Sequence, residues 1–208
     1  MQNKVVIITG ASDGIGAIAA KNLHAQGAEV IVVGRSPEKT KKVAEALGAV
    51  YYIADFTDLS SVRALAAQLK NSYPKIDVLI NNAGGLFGER ALTVDGHERT
   101  FQVNHLAPFL LTNELIETLI KSKAVIINTS SAANRFFSEL DINDLELTKG
   151  FTANRAYGNS KLANILFARE LNRRLAADGI VSQAMHPGRV DSNFANHGDA
   201  QMKHHFTQ

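Results

Sequence analysis

The chain has 208 residues, enough for one sizeable core and too few for two comfortable domains, so residues 1–208 are read as a single domain. Its 22 Lys and Arg against 20 Asp and Glu leave a net charge of +2, which gives no reason to expect a nucleic-acid partner. The absence of cysteine excludes disulfides, thiolate metal ligands and a thiol nucleophile, and no stretch approaches the ~20 apolar residues that a membrane span needs.

Strand-like apolar runs alternate with helix-like segments from the start, the pattern of a parallel sheet covered by helices. The first strand, Lys4 to Thr9, begins almost at once and leaves no room for a signal peptide or membrane anchor, so a cytoplasmic location is expected. Gly14 to Gln26 reads as a helix closed by Gly27, and Val30 to Val33 as the second strand. Ser36-Pro37 opens a second helix, with the proline where a first turn tolerates it. Val50 to Ala54 is the third strand, Leu59 to Tyr73 a helix, and Val78 to Ile80 the fourth strand. One long helix is expected from about Thr100 to Ser122, then a fifth strand from Ala124 to Thr129. Residues Asn134 to Arg155 carry no clear period, and a loop this long in a compact domain points to substrate contact. A helix follows to about Ala177, and Ile180 to Met185 is the sixth strand. The fold class is α/β, a Rossmann-type doubly wound parallel sheet of order 3-2-1-4-5-6 with helices on both faces.

Two motifs carry chemistry. Tyr157 and Lys161 form a Tyr-x-x-x-Lys, whose two side chains share a helix face. An ammonium there would stabilise a phenolate, whose ordinary pKa of about 10 is too high for proton transfer near neutrality. Thr9-Gly10-Ala11-Ser12-Asp13-Gly14-Ile15-Gly16 joins the first strand to the first helix. Its glycines would let backbone amides reach a pyrophosphate at the positive end of the helix; the plainer alternative is a tight turn with no ligand.

With Asn81-Asn82-Ala83-Gly84 after the fourth strand, these motifs resemble, in order and spacing, the short-chain dehydrogenase/reductase family over nearly the whole chain. The segments Phe101 to Thr112 and Ala156 to Phe167 are similar to the retinol dehydrogenase and protochlorophyllide reductase-like branch, which shares the long insert before the tyrosine. The resemblance implies Tyr157 as general acid or base, with Lys161 lowering its pKa and bonding the nicotinamide ribose. It implies Ser131, rather than the adjacent Ser130, as the group polarising the substrate oxygen, and Asn104 as the holder of a water in a proton relay to the lysine. Gly10, Ser12, Asp13, Gly14, Ile15, Gly16, Asp55, Phe56, Asn82, Ala83 and Gly84 would line the cofactor, together with Tyr157 and Lys161. Pro187, Gly188 and Val190 would meet the nicotinamide carboxamide after the sixth strand.

Where an acidic residue would favour NAD, the second strand ends in Gly34-Arg35-Ser36, so NADP(H) is the expected cofactor, with NAD(H) as the alternative. Arg35 would bind the 2′-phosphate and Lys39 would help. Asp13 stands where NADP-preferring relatives carry a basic residue, which argues the other way. His186 beside Pro187 reads as structural, and His204-His205 lacks the spacing of a metal site. The expected partner is a lipophilic alcohol or carbonyl compound, since Phe136, Phe137 and Phe151 make the insert partly apolar. The family also forms homodimers through the helices that hold Asn104 and Tyr157. Asp191 to Gln208 shows no strand-like run, so the family's last strand and lid are expected to be missing, leaving the sixth strand at an edge. A catalytically weak nucleotide-binding scaffold is the competing expectation.

Overall fold

The computed structural model describes residues 1–188. Six strands form one sheet of order β3-β2-β1-β4-β5-β6, and every pair is parallel. They are β1 Val5–Thr9, β2 Glu29–Gly34, β3 Val50–Ile53, β4 Val78–Asn81, β5 Val125–Thr129 and β6 Val181–Met185. Among the described residues β3 and β6 are the edges.

Successive side chains in a strand point to opposite faces, and the two apolar clusters follow that alternation. Ile7, Ile31, Val33, Leu79 and Ile126 face one layer of helices. That layer is α3 (Leu59–Ser72), α5 (Ala107–Glu114), α6 (Ile116–Ser122) and α8 (Ala153–Leu175), contributing Leu65, Leu69, Leu111, Leu115, Leu119, Phe167 and Leu171. Val6, Ile8, Val30, Val32, Val78 and Ile80 face the other layer, α1 (Gly14–Ala25) and α2 (Pro37–Leu47), through Ala20 and Ala44. Burial on both faces is why the strands read as continuous β-branched runs.

Local signals set the helix starts. Asp13, Ser36, Asp58 and Thr152 are N-caps whose side chains accept first-turn amides of α1, α2, α3 and α8. The long helix expected from Thr100 to Ser122 is instead broken twice. A three-residue α4 (Arg99–Phe101) runs into a π turn, Gln102–Leu106, before α5, and Leu115 separates α5 from α6. The wide turn is where Asn104 sits, and Pro108 just beyond it removes an N–H from the helical ladder.

The segment between β5 and α8 is folded down at several points. It holds a short helix α7 (Ala133–Phe136) and then turns without regular structure. Asn159 of α8 accepts from Glu139 N–H at 2.8 Å and donates to its carbonyl at 3.3 Å. Glu146 bonds His97 Nδ1 at 2.7 Å and accepts the Glu98 amide, while Arg90 donates to the Leu147 carbonyl at 3.0 Å. These contacts lay the insert across the top of α8 and against the loop after β4.

Candidate active site

In a doubly wound sheet the ligand crevice lies beyond the carboxyl ends of the strands, where the strand order reverses. Here that is the gap between β1 and β4, whose register pairs Val6 to Ile8 with Val78 to Ile80. Gly10, with φ at +65°, turns the chain out of β1, and a Cβ on it would stand 2.7 Å from the Ala83 Cα. Gly16 in the first turn of α1 is packed harder still: a Cβ there would meet the Gly10 carbonyl at 2.4 Å and Asn82 Nδ2 at 2.7 Å.

The β4 loop locks onto this turn. Asn82 Nδ2 donates to the carbonyls of Thr9 and Gly10 at 3.0 and 3.2 Å. The Thr9 hydroxyl accepts the amides of Asn82 and Ala83 at 3.1 and 3.0 Å. Gly10, Gly16, Asn82 and Ala83 are therefore locked together at the mouth of the crevice, with the N-terminus of α1 at its edge. This is the tight backbone approach that a dinucleotide pyrophosphate requires, so the residues present fit such a group.

At the end of β2, Arg35 is exposed and makes no hydrogen bond or ion pair among the described residues. Asp13 caps Gly14 N–H at 2.7 Å and pairs with Lys39 Nζ at 3.5 Å, so the acidic and basic residues flagged in the sequence partly neutralise each other. Asp55 accepts the amide and hydroxyl of Thr57 at 2.9 and 2.8 Å, both through Oδ1, and Oδ2 has no partner among the described residues. Phe56 is buried and its carbonyl accepts from Gln102 Nε2 at 3.2 Å. Pro187 and Gly188 follow β6 as anticipated, and His186 there is exposed. Val190 and the His204-His205 pair, like the expected loss of the last strand and lid, fall outside the described residues.

The four residues expected to do chemistry come together on α8, the π turn and the end of β5. Tyr157, Lys161, Ser131 and Asn104 are all buried, at 6%, 2%, 6% and 1% exposure. Lys161 Nζ stands 5.4 Å from the centroid of the Tyr157 ring and donates to the Thr129 carbonyl at 3.0 Å. Ser131 is hydrogen-bonded through its side chain to Tyr157 and accepts the Ala133 amide at 3.2 Å. Ser130 is spent elsewhere, donating to the Lys161 carbonyl at 2.8 Å. Asn104 accepts from Gly85 N–H at 2.8 Å, and its Nδ2 donates to the Gly85 carbonyl at 2.9 Å and to Ser160 Oγ at 3.1 Å. Gly84 lies between the two partners: a Cβ there would be 3.0 Å from Asn104 Oδ1 and 3.5 Å from Lys161 Nζ.

Electrostatically the pair differs from the sequence expectation. Burial pushes the Tyr157 phenol up to about 12, and the Ser131 hydrogen bond pulls against it. Burial also draws the Lys161 ammonium down to about 8. Desolvation disfavours both charged forms.

Two neighbours carried no sequence motif. Leu86 is fully buried and packs with Ala133, Ala153 and Tyr157, with Phe137 against them, giving the tyrosine an apolar flank. Asn164 lies three residues beyond Lys161 and seven beyond Tyr157, spacings that put all three on one helix face. That shared face was the available signal for Asn164. For Leu86, in a loop, there was none.

The sequence profile described as short chain dehydrogenase matches residues 4–203. A Streptomyces sp. (strain C5) protein assigned as daunorubicin C-13 ketoreductase is 42% identical over 197 residues, covering 91% of this chain and 67% of that protein. Retinol dehydrogenase 12 of Mus musculus is 40% identical over 195 residues, covering 90% of this chain and 61% of its own length. The chain thus spans about two thirds of the length of these relatives. The structure of Pseudomonas aeruginosa RhlG in an active-site complex with NADP superposes with a TM-score of 0.78 at 29% identity, over 97% of this chain and 79% of that one. A crevice built by a glycine turn, a sheet of order 3-2-1-4-5-6, a buried Tyr157–Lys161 pair and these matches have one common meaning: the chain belongs to the short-chain dehydrogenase family, on the branch that holds the retinol dehydrogenases.

Proposed function

We propose that residues 1–208 form a single dinucleotide-binding catalytic domain that moves a hydride between NADP(H) and a lipophilic alcohol or carbonyl compound. The observation that carries the reading is the convergence of buried Ser131, Tyr157, Lys161 and Asn104 beside the crevice at Gly84. A nicotinamide supplies the hydride; this chain's residues would bind it and handle the proton. Gly10, Ser12, Gly14, Ile15 and Gly16 would hold the pyrophosphate, Asp55 with its uncommitted oxygen the adenine, and Asn82, Ala83 and Gly84 the nearer ribose. Phe56 would back the adenine site, and Pro187, Gly188 and Val190 would meet the carboxamide. Arg35, exposed and unpaired among the described residues, is the candidate reader of a 2′-phosphate, with Lys39 close by through Asp13.

Ser131 would donate to the substrate oxygen where negative charge develops, and Tyr157, held by the same hydroxyl, would give or take the proton there. Lys161 would favour the phenolate when charged, and Asn104 would support the route by which Lys161 is re-protonated. Support for a carbonyl or alcohol substrate comes from the relatives' names, which specify a ketoreductase and retinol dehydrogenases. Support for a lipophilic one comes from the apolar cluster of Leu86, Ala133 and Phe137 against Tyr157. A homodimer and a cytoplasmic location complete the proposal. No helix among the described residues is long and apolar enough to cross a membrane.

The deciding experiment assays the chain with NADPH and a panel of hydrophobic ketones and aldehydes, alongside Tyr157→Phe. Turnover in the parent that the variant loses by about a thousandfold or more supports the reading. NADPH binding without turnover of any carbonyl would leave the scaffold alternative standing. Replacing Arg35 by Ala is expected to weaken NADPH by about tenfold to a hundredfold with little effect on NADH.

A further inference from the structure

Asn164 is 5% exposed, and its amide is fully used. Nδ2 donates to the main-chain oxygen of Asn104 at 3.1 Å and to that of Thr129 at 3.2 Å. The Thr129 oxygen also accepts from Lys161 Nζ, so an amide and an ammonium divide one acceptor. Two carbonyls on one side require the amide nitrogen there, which turns Oδ1 towards His105. His105 Nδ1 lies 3.0 Å from that oxygen and must carry the proton. Burial lowers the His105 pKa and so favours the neutral ring, while the Asn164 bond, which selects the Nδ1–H tautomer, raises it. The ring is confined by Phe101, Phe109 and Phe167, with centroids 5.3, 6.1 and 6.2 Å away.

The Asn104 carbonyl belongs to the π turn, and the residue four positions on, the usual α-helical donor, is Pro108, which has no N–H. The Asn104 side chain is already committed to Gly85 and Ser160. Asn164 thus ties together two segments through their carbonyls: the π turn and the end of β5.

We propose that Asn164, aimed by His105, is a positioning residue: it fixes the Thr129 and Asn104 oxygens and thereby sets where the Lys161 ammonium stands relative to Tyr157. This rests on the roles proposed above for Tyr157 and Lys161. The titratable side chains linked to this corner by these contacts are Tyr157 and Lys161 of α8 and His105 of the π turn.

The test compares the parent with Asn164→Asp, Asn164→Leu and His105→Phe, the last keeping the aromatic packing but not the donor. Titration of Lys161 Nζ is followed by NMR of ligand-free, 15N-lysine-labelled protein, with Lys161→Met for assignment. In Asn164→Asp the ammonium gains about tenfold or more in proton affinity, because a carboxylate enters beside the oxygen it shares. In Asn164→Leu and His105→Phe, kcat falls by about tenfold and its pH profile moves with the Lys161 titration, while NADPH affinity stays within about threefold. An unchanged Lys161 titration in folded Asn164→Asp overturns the proposal. So does a loss of NADPH affinity in step with kcat in the other two, which would mark a merely structural role. His105→Phe leaves the amide in place and serves if Asn164→Leu does not fold. A parent without any turnover sinks the hydride-transfer reading instead, and the Lys161 titration then decides the positioning role alone.

Discussion

Lys161 is buried at a cost to the fold, at the place where the proposed chemistry would use it. It is 2% exposed, and burial draws its pKa from 10.5 to about 8. Between those values the unfolded chain holds the proton and the folded chain has released it, so stability from this group rises with pH through that window and is lowest below it. Replacing Lys161 by Met is therefore expected to raise stability at pH 7 by about 1–3 kcal/mol while removing turnover, measured by urea unfolding beside the carbonyl assay. Equal or lower stability in the variant would show that the Thr129 hydrogen bond outweighs desolvation. Ser131 acts in the opposite sense on Tyr157, pulling the phenol down against burial. In Ser131→Ala the tyrosine should titrate higher than in the parent, read by ultraviolet difference spectra against Tyr157→Phe, and kcat should fall by about a hundredfold.

At the scale of elements, the crevice depends on close approach between segments far apart in sequence. The β1–α1 turn and the β4 loop meet over Gly10 and Gly16, where a methyl group has no room. Gly16→Ala should cost about 1–3 kcal/mol and weaken NADPH binding by more than about tenfold, since relief requires moving the Gly10 carbonyl or Asn82. Binding equal to the parent in a calorimetric titration would mean that the turn is not the pyrophosphate seat. The entry to the π turn depends on Glu98, only 1% exposed, whose two oxygens accept the Thr100 and Phe101 amides at 2.8 and 2.7 Å. Its own amide is taken by Glu146 of the insert. Glu98→Ala should therefore lower stability by about 1–2 kcal/mol, and hydrogen exchange should show looser amides at Thr100 and Phe101 before anything changes at α8.

Over the whole molecule the sheet has a charged end opposite the site. Asp77, its side chain 5% exposed, accepts the Val5 amide at 3.0 Å and pairs with Lys4 and Lys75 at 2.8 and 2.9 Å, joining β1 to β4 at their amino ends. Burial pushes its carboxyl up, but the bonds from Lys4, Lys75 and Val5 prevail and hold it down at about 2. A depressed acid stabilises the fold above its unfolded pKa, and that contribution is lost as pH falls from about 4 to about 2. Asp77→Asn should flatten this limb of an acid-unfolding curve, with a loss of roughly 1–2 kcal/mol at pH 7. A curve of unchanged shape would assign acid unfolding to other carboxylates. What the sequence determined by itself was whatever is written locally: strands buried on both faces from β-branched runs, helix starts near Gly14, Ser36-Pro37 and Leu59, and the strand order from the alternation of elements; the start of α8 at Ala153, capped by Thr152, fell inside the stretch without a clear period. Tyr157 and Lys161 were expected from their spacing on a helix, whereas Ser131 and Asn104 were expected only from the family resemblance. Only the tertiary structure decided that the Asn104 helix opens into a π turn, that the β4 loop bonds back onto Gly10, and that Asn164 bonds His105 and the Asn104 and Thr129 carbonyls. It also decided that burial drives Tyr157 and Lys161 away from their charged forms. The physical reason is that these depend on donors, acceptors and solvent exclusion supplied by segments dozens of residues away, and no local pattern encodes them.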